Sequence, residues 1–231
     1  KPPKRLDTPE KGTGKASYAL GVVRPGMLYA VVARCPVTGG SVTSFDATAA
    51  KAVPGVKHVV QIPEGVAVVA DSTWAAMEGR KALTVQWNEG ENAGLTSAAI
   101  RDILAKAIAT PGSVARKTGE GEAALSTASK QVEAVYEAPY LAHAPMEPFT
   151  CVADFKGDSC EVWVGSQAIA RAQKAAAKPA GLPLDKVVVH NHLLGGGFGR
   201  RLEVDGVIRA VEIAKHVDGP VKVVWSREED I

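Results

Sequence analysis

The chain has 231 residues, 46% hydrophobic and 23% charged, with a net charge of +2 at pH 7. That length holds one large core or two small ones, and the balance excludes a disordered chain and any overall electrostatic pull toward nucleic acid. No apolar run reaches the length of a membrane span, and no signal-peptide pattern opens the chain.

The basic opening from Lys1 to Arg5 reads as a short solvated linker. Ala16 to Val23 and Met27 to Arg34 are strand-like on either side of Arg24, Pro25 and Gly26, which predicts a hairpin. Asp46 suits the N-cap of a helix over 47–53 that Pro54 and Gly55 end, and Val56 to Ile62 is a further strand. Val66 to Ala70 is a continuous apolar strand, Asp71 or Ser72 caps a helix over 73–82, and Leu83 to Trp87 returns as a strand. A Gly, Asn and Glu-rich loop follows, then an amphipathic helix over 98–109, capped by Thr96 or Ser97 and closed by Pro111 and Gly112. Gly112 to Gly121 is an exposed connection.

Gln131 to Ala138 alternates as a strand does. Cys151 to Phe155 and Glu161 to Val164 form a hairpin turning at Lys156 to Asp158, and Ala168 to Ala177 is an alanine-rich helix. In that hairpin Cys160 faces Asp154 or Phe155, which leaves Cys151 too far along for a disulfide. The cysteines at 35, 151 and 160 lack zinc-site spacing. Lys186 to Leu193 is a buried strand. Leu202, Val207, Ile208, Val211, Ile213 and Ala214 then recur near helical spacing until the Asp218, Gly219, Pro220 turn. Val221 to Trp225 reads as a strand leading onward, with Arg227 to Asp230 a solvated charged turn. A first residue other than Met and this last strand together suggest an excerpt of a longer protein.

The most telling stretch is Leu193 to Arg201, with four glycines and two arginines between a strand and a helix. Glycines allow close backbone approach, a helix N-terminus favours negative charge, and guanidinium groups suit phosphate oxygens, so the pattern reads as an anion cradle. It is not a dinucleotide fingerprint, because Arg200 stands where Gly or Ala is required. Nor is it a P-loop, which needs Gly-Lys-Ser or Gly-Lys-Thr. Phe198 has no backbone purpose in a glycine turn and points to a ligand role. His143 and Glu147 lie between stiffening prolines; an acid/base pair is one reading, and a hydrogen-bonded His beside a structural Glu is the one the pattern favours. His190 and His192 share a strand face, where packing or hydrogen bonding outweighs metal binding. Gln167 sits where a strand hands over to a helix and can point one neutral donor at a bound group.

Seven segments in order (Lys11 to Tyr18, Pro25 to Tyr29, Val53 to Val56, Ala142 to Pro148, Val162 to Gln167, Gly195 to Arg201 and Pro220 to Asp230) make the chain resemble the molybdenum-binding large subunit of the xanthine dehydrogenase and aldehyde oxidase family, in its bacterial isoquinoline 1-oxidoreductase β-subunit type. The resemblance implies an α+β fold: an a/b hammerhead domain over 1–89, a helical connection over 90–129, and the first portion of a molybdopterin-binding α+β domain over 130–231. It implies a parent enzyme that oxidises an N-heteroaromatic compound or an aldehyde with water as the oxygen source and passes electrons to iron–sulfur clusters on a partner subunit. Molybdopterin in its cytosine dinucleotide form is the implied cofactor.

By position, Gln167 resembles the glutamine that hydrogen-bonds an oxygen of the cofactor. Gly196, Gly197, Phe198, Gly199 and Arg200 resemble the loop packed against the cofactor, with Phe198 near the substrate. Some members continue this loop with Gly-Lys-Glu for purine binding; Arg200, Arg201 and Leu202 stand here instead, so the resemblance does not extend to purines. The family's catalytic glutamate lies beyond this chain, which by itself is expected to be inactive. Relatives of this type are often exported. The alternative is a non-catalytic nucleotide-binding or scaffold module that uses the same glycine loop.

Overall fold

The computed structural model describes residues 3–231; Lys1 and Pro2 of the basic opening lie outside the described residues. The elements are α1 (Thr8–Gly12), β1 (Leu28–Arg34), β2 (Ser41–Asp46), α2 (Thr48–Ala52), β3 (Val56–Ile62), β4 (Gly65–Ala70), α3 (Thr73–Ala82), β5 (Thr84–Asn88), α4 (Ser97–Ile108), α5 (Gly121–Ser126), β6 (Thr150–Phe155), β7 (Cys160–Val164), α6 (Ile169–Ala180), β8 (Val187–Asn191), α7 (Asp205–Ala214), β9 (Val221–Val224) and α8 (Arg227–Asp230). They fall into two units, one formed by residues 3–90 and 142–231, the other by 91–141.

The larger unit is built on a seven-stranded sheet in the order β3-β4-β1-β9-β6-β7-β8. It is mixed: β1 with β9 and β7 with β8 are parallel, and the remaining pairs are antiparallel. Period-two alternation divides its residues between two faces. Cys151, Ala153, Val162, Val164, Val221 and Val223 join α6 and α7 in the main core. Val152 and Trp163 turn the other way onto Val22 and Met27. Alanines at 172, 176, 177 and 180 let α6 lie close to the sheet, and α7 adds Val207, Val211 and Ile213. A two-stranded sheet of β2 and β5 completes the unit.

The smaller unit holds α4, capped by Thr96 Oγ1 accepting the Ala99 N–H at 3.2 Å, and α5. Neither helix has a buried residue.

Three expectations need correction. Ala16 to Val23 is not a strand: only Tyr18 bridges, to Leu193, and residues 19–21 form a 3-10 turn whose polar groups bond outside any hairpin. Gln131 to Ala138 forms no regular element, because no strand among the described residues pairs with it. The helix after the glycines begins only at Asp205, beyond a 3-10 turn over Arg200–Leu202, so its N-terminus is not the end of the glycine loop. The β6–β7 hairpin matches expectation, with Phe155 opposite Cys160 and Cys151 opposite Val164. Burial pushes the Cys160 thiol up to about 11 and raises that of Cys151 further, leaving both unreactive.

Candidate functional site

Strand directions bring the candidate residues to one edge. Parallel β7 and β8 both end there; β6, antiparallel to β7, begins there; β9, antiparallel to β6, ends there. Gln167 follows β7, the glycine loop follows β8, His143 to Phe149 lead into β6, and Trp225 to Asp230 follow β9. The carboxyl ends of parallel strands are the usual ligand edge of such sheets.

The glycine loop requires its glycines. Gly196 and Gly199 take φ of 111° and 91°. A Cβ on Gly195 would lie 2.3 Å from the Glu147 Cβ, and one on Gly197 would lie 2.7 Å from Gln167 Oε1. Phe198 also sits at positive φ, 52°, and is 74% exposed. A bulky residue held in that region stores strain of the kind that gathers at functional sites.

Gln167 is fixed at both ends of its peptide-to-amide reach: its N–H donates to the Arg201 carbonyl at 3.0 Å, and its Oε1 accepts the Gly199 N–H at 3.2 Å. Because Oε1 must face that donor, Nε2 is the outward group. Nε2 and the N–H groups of Gly196, Gly197 and Phe198 make no hydrogen bond among the described residues. Four donors therefore stand free at one short turn. A group that presents oxygen acceptors and needs close backbone approach fits them.

Both arginines are engaged with carboxylates of the chain itself. Arg200 makes a bidentate pair with Asp205 at 3.0 and 2.9 Å and lies 5.1 Å from the Trp225 ring centroid. The Asp205 hydrogen bonds raise its pKa. Arg201 is 3% exposed, pairs with Asp230 at 3.4 Å, and donates to the Glu147 carbonyl at 2.7 Å. Burial lowers its pKa, and Asp230 offsets only part of this. Arg34 and Arg209 also face Trp225, each at 4.9 Å, with Phe149 tilted 4.9 Å from it. Arg200 thus ties the loop to the start of α7 through Asp205. Arg227 to Asp230 is no solvated turn: Asp230 is 6% exposed and bonded to Arg201 and Arg227.

Glu147 accepts the Leu20 N–H at 3.0 Å and the Gly195 N–H at 2.9 Å, so it is the structural carboxylate of the two readings. His143 lies near Gly199, whose Cβ would be 3.9 Å from Nε2. His190 bonds Glu161 at 2.8 Å and stacks on Trp163, while His192 Nδ1 meets Ser17 Oγ at 3.1 Å. Burial, then His190, lowers the His192 pKa. Trp225 and Asp230 had no site signal in sequence beyond the unusual nearness of an aromatic to several charges.

A mixed sheet with free loop donors at its carboxyl edge is an arrangement able to receive a group that presents oxygen acceptors. Residues 105–231 match the molybdopterin cofactor-binding domain, and the chain belongs to that family. It is 36% identical to the isoquinoline 1-oxidoreductase beta chain of Brevundimonas diminuta, over 98% of this chain and 30% of that protein. It is 26% identical to the molybdenum-binding subunit PaoC of the aldehyde oxidoreductase of Escherichia coli O157:H7, over 98% of this chain and 35% of that protein. Its fold matches quinoline 2-oxidoreductase from Pseudomonas putida 86 with a TM-score of 0.75 at 20% identity, over 98% of this chain and 34% of that one. The chain thus spans about a third of the length of these relatives.

Proposed function

We propose that the chain is a cofactor-facing part of the large subunit of a molybdenum hydroxylase, one that oxidises an N-heteroaromatic compound or an aldehyde with water as the oxygen source. The observation that carries this reading is the set of four free donors, Gln167 Nε2 and the N–H groups of Gly196, Gly197 and Phe198, in a chain of this family. When bound, molybdopterin supplies two-electron redox chemistry at its metal. Gln167 donates to an oxygen of the group, with its amide oriented by Gly199. Gly196, Gly197 and Gly199 let the backbone close on the group, and Phe198 offers apolar surface to an aromatic or aldehyde substrate. Arg200 keeps the loop in register through Asp205.

Glu147 is engaged by two amides, and the resemblance to the family implies that the proton-accepting carboxylate comes from later in the parent chain. Electrons leave to an iron–sulfur partner subunit, and the cofactor is the cytosine dinucleotide form. On the same grounds 1–89 is assigned to the hammerhead domain, 90–129 to the helical connection and 130–231 to the cofactor-binding domain, with the β1–β9 pair carrying one sheet across the division. The test is turnover of isoquinoline and an aromatic aldehyde by the full-length parent with its partners in oxygen-18 water. Label from water appears in the product if the reading holds; label from dioxygen, or turnover of neither compound, contradicts it.

A further inference from the structure

The glycine loop follows β8 and runs from Gly195 to the 3-10 turn at Arg201, and Glu147 holds both ends. Its Oε2 accepts the Gly195 N–H at 2.9 Å, its own N–H donates to the Gly195 carbonyl at 3.0 Å, and its carbonyl accepts from Arg201 Nη2 at 2.7 Å. The other carboxylate oxygen, Oε1, accepts the Leu20 N–H at 3.0 Å from the 3-10 turn over Ala19–Gly21. The Leu20 carbonyl in turn accepts from Lys222 Nζ at 2.8 Å, on a lysine only 4% exposed. The same amino-terminal strap reaches the strand entering the loop, where the Leu193 N–H donates to the Ser17 carbonyl at 3.2 Å.

We propose that Glu147 is a positioning residue for the molybdopterin group: by bridging the Leu20 and Gly195 amides, it locks the glycine loop against the Ser17 to Val22 strap and holds the free loop donors where they retain the group. This rests on the reading of the loop as the cofactor wall. A carboxylate suits the bridge because it offers an acceptor oxygen to each of two N–H groups, whereas a glutamine of the same shape turns an NH2 toward one of them. The strap is 127 residues from Glu147 in sequence, so the carboxylate makes loop geometry depend on a distant segment.

The test uses the full-length parent with its partner subunits, comparing Glu147→Gln with Ile213→Val, a change in the fully buried core of α7. Both are studied equally far below their own unfolding temperatures. Amide exchange at Leu20 and Gly195 should quicken about tenfold in Glu147→Gln, and molybdenum should leave the protein faster by a similar factor on dialysis, with neither change in Ile213→Val. Native molybdenum retention in Glu147→Gln, or equal loss in both variants, overturns the proposal. Gly197→Val separates it from the reading beneath it. If that variant keeps its molybdenum, the cofactor wall itself is wrong; if it loses molybdenum while Glu147→Gln does not, only the role of Glu147 fails. Should Glu147→Gln not accumulate, Glu147→Asp keeps the charge but, one methylene shorter, spans only one amide; it should show the same loss in weaker form, and native retention there overturns the proposal equally.

Discussion

Replacing Gly206 with Ala sets two effects of known size against each other. Gly206 is the second residue of α7, where alanine improves helix propensity by up to about 1 kcal/mol. An added Cβ, however, would meet Phe149 Cε1 at 2.1 Å, Cζ at 2.4 Å and Cδ1 at 2.6 Å. Ordinary carbon contact is about 3.5 Å or more, so the ring must retreat by roughly 1.4 Å. Phe149 is 3% exposed, tilted against Trp225 and covered by the Arg201 guanidinium at 5.2 Å, so it has nowhere free to go. Overpacking of this kind costs about 1–3 kcal/mol, here toward the upper end because three ring atoms are struck. The net expectation is a destabilisation of about 1–2 kcal/mol, or a fall of roughly 2–8 °C in Tm for a chain of this size. Thermal and urea unfolding of Gly206→Ala read this directly, and Phe149→Leu in the same background should recover part of the loss. An unchanged or raised Tm would refute the packing argument.

Phe198→Ala in the full-length parent should enlarge the substrate site and alter turnover and specificity more than molybdenum content; molybdenum loss without a specificity change would make Phe198 structural. Gln167→Ala removes one preorganised donor, so turnover should drop about a hundredfold with stability changed by less than about 1 kcal/mol, measured by steady-state kinetics beside thermal unfolding. Burial pushes the Asp205 carboxyl up, but the Arg200 hydrogen bonds and the Arg209 charge bring it below its ordinary value. The unfolded chain then binds more protons in the acid range, so stability present above about pH 3.9 is lost as pH falls through the folded-state pKa. Asp205→Asn should cost about 1–3 kcal/mol near neutrality and flatten that acid slope in urea unfolding across pH; an unaltered slope would contradict the pairing.

Much of the fold was legible because its signals are local. The helix over 73–82 and its Ser72 cap, which accepts the Ala75 N–H at 3.2 Å, follow from short-range pattern alone. So does the β6–β7 register, set by the turn between the strands. Within the site, Gln167 and the loop from Gly196 to Gly199 were readable as a strand end and a glycine turn. What escaped was long-range. Ala16 to Val23 alternates like a strand, yet Leu20 is claimed by Glu147 and Lys222, 127 and 202 residues away. Arg200 and Arg201 look like anion ligands until Asp205 and Asp230 are folded against them, and Asp230 looks solvated until Arg201 buries it. Residues 131–138 keep their strand alternation without a partner strand among the described residues.

The central claim, that the glycine loop with Gln167 is one wall of a molybdopterin site, is tested most directly by metal analysis of the full-length parent expressed with its partners in a host that makes the cofactor. The expected result is molybdenum stoichiometric with the large subunit in the native protein and its loss in Gly197→Val, whose added side chain would collide with Gln167, 2.7 Å from the new Cβ. A native protein without molybdenum, or a Gly197→Val variant that retains it in full, would contradict the claim.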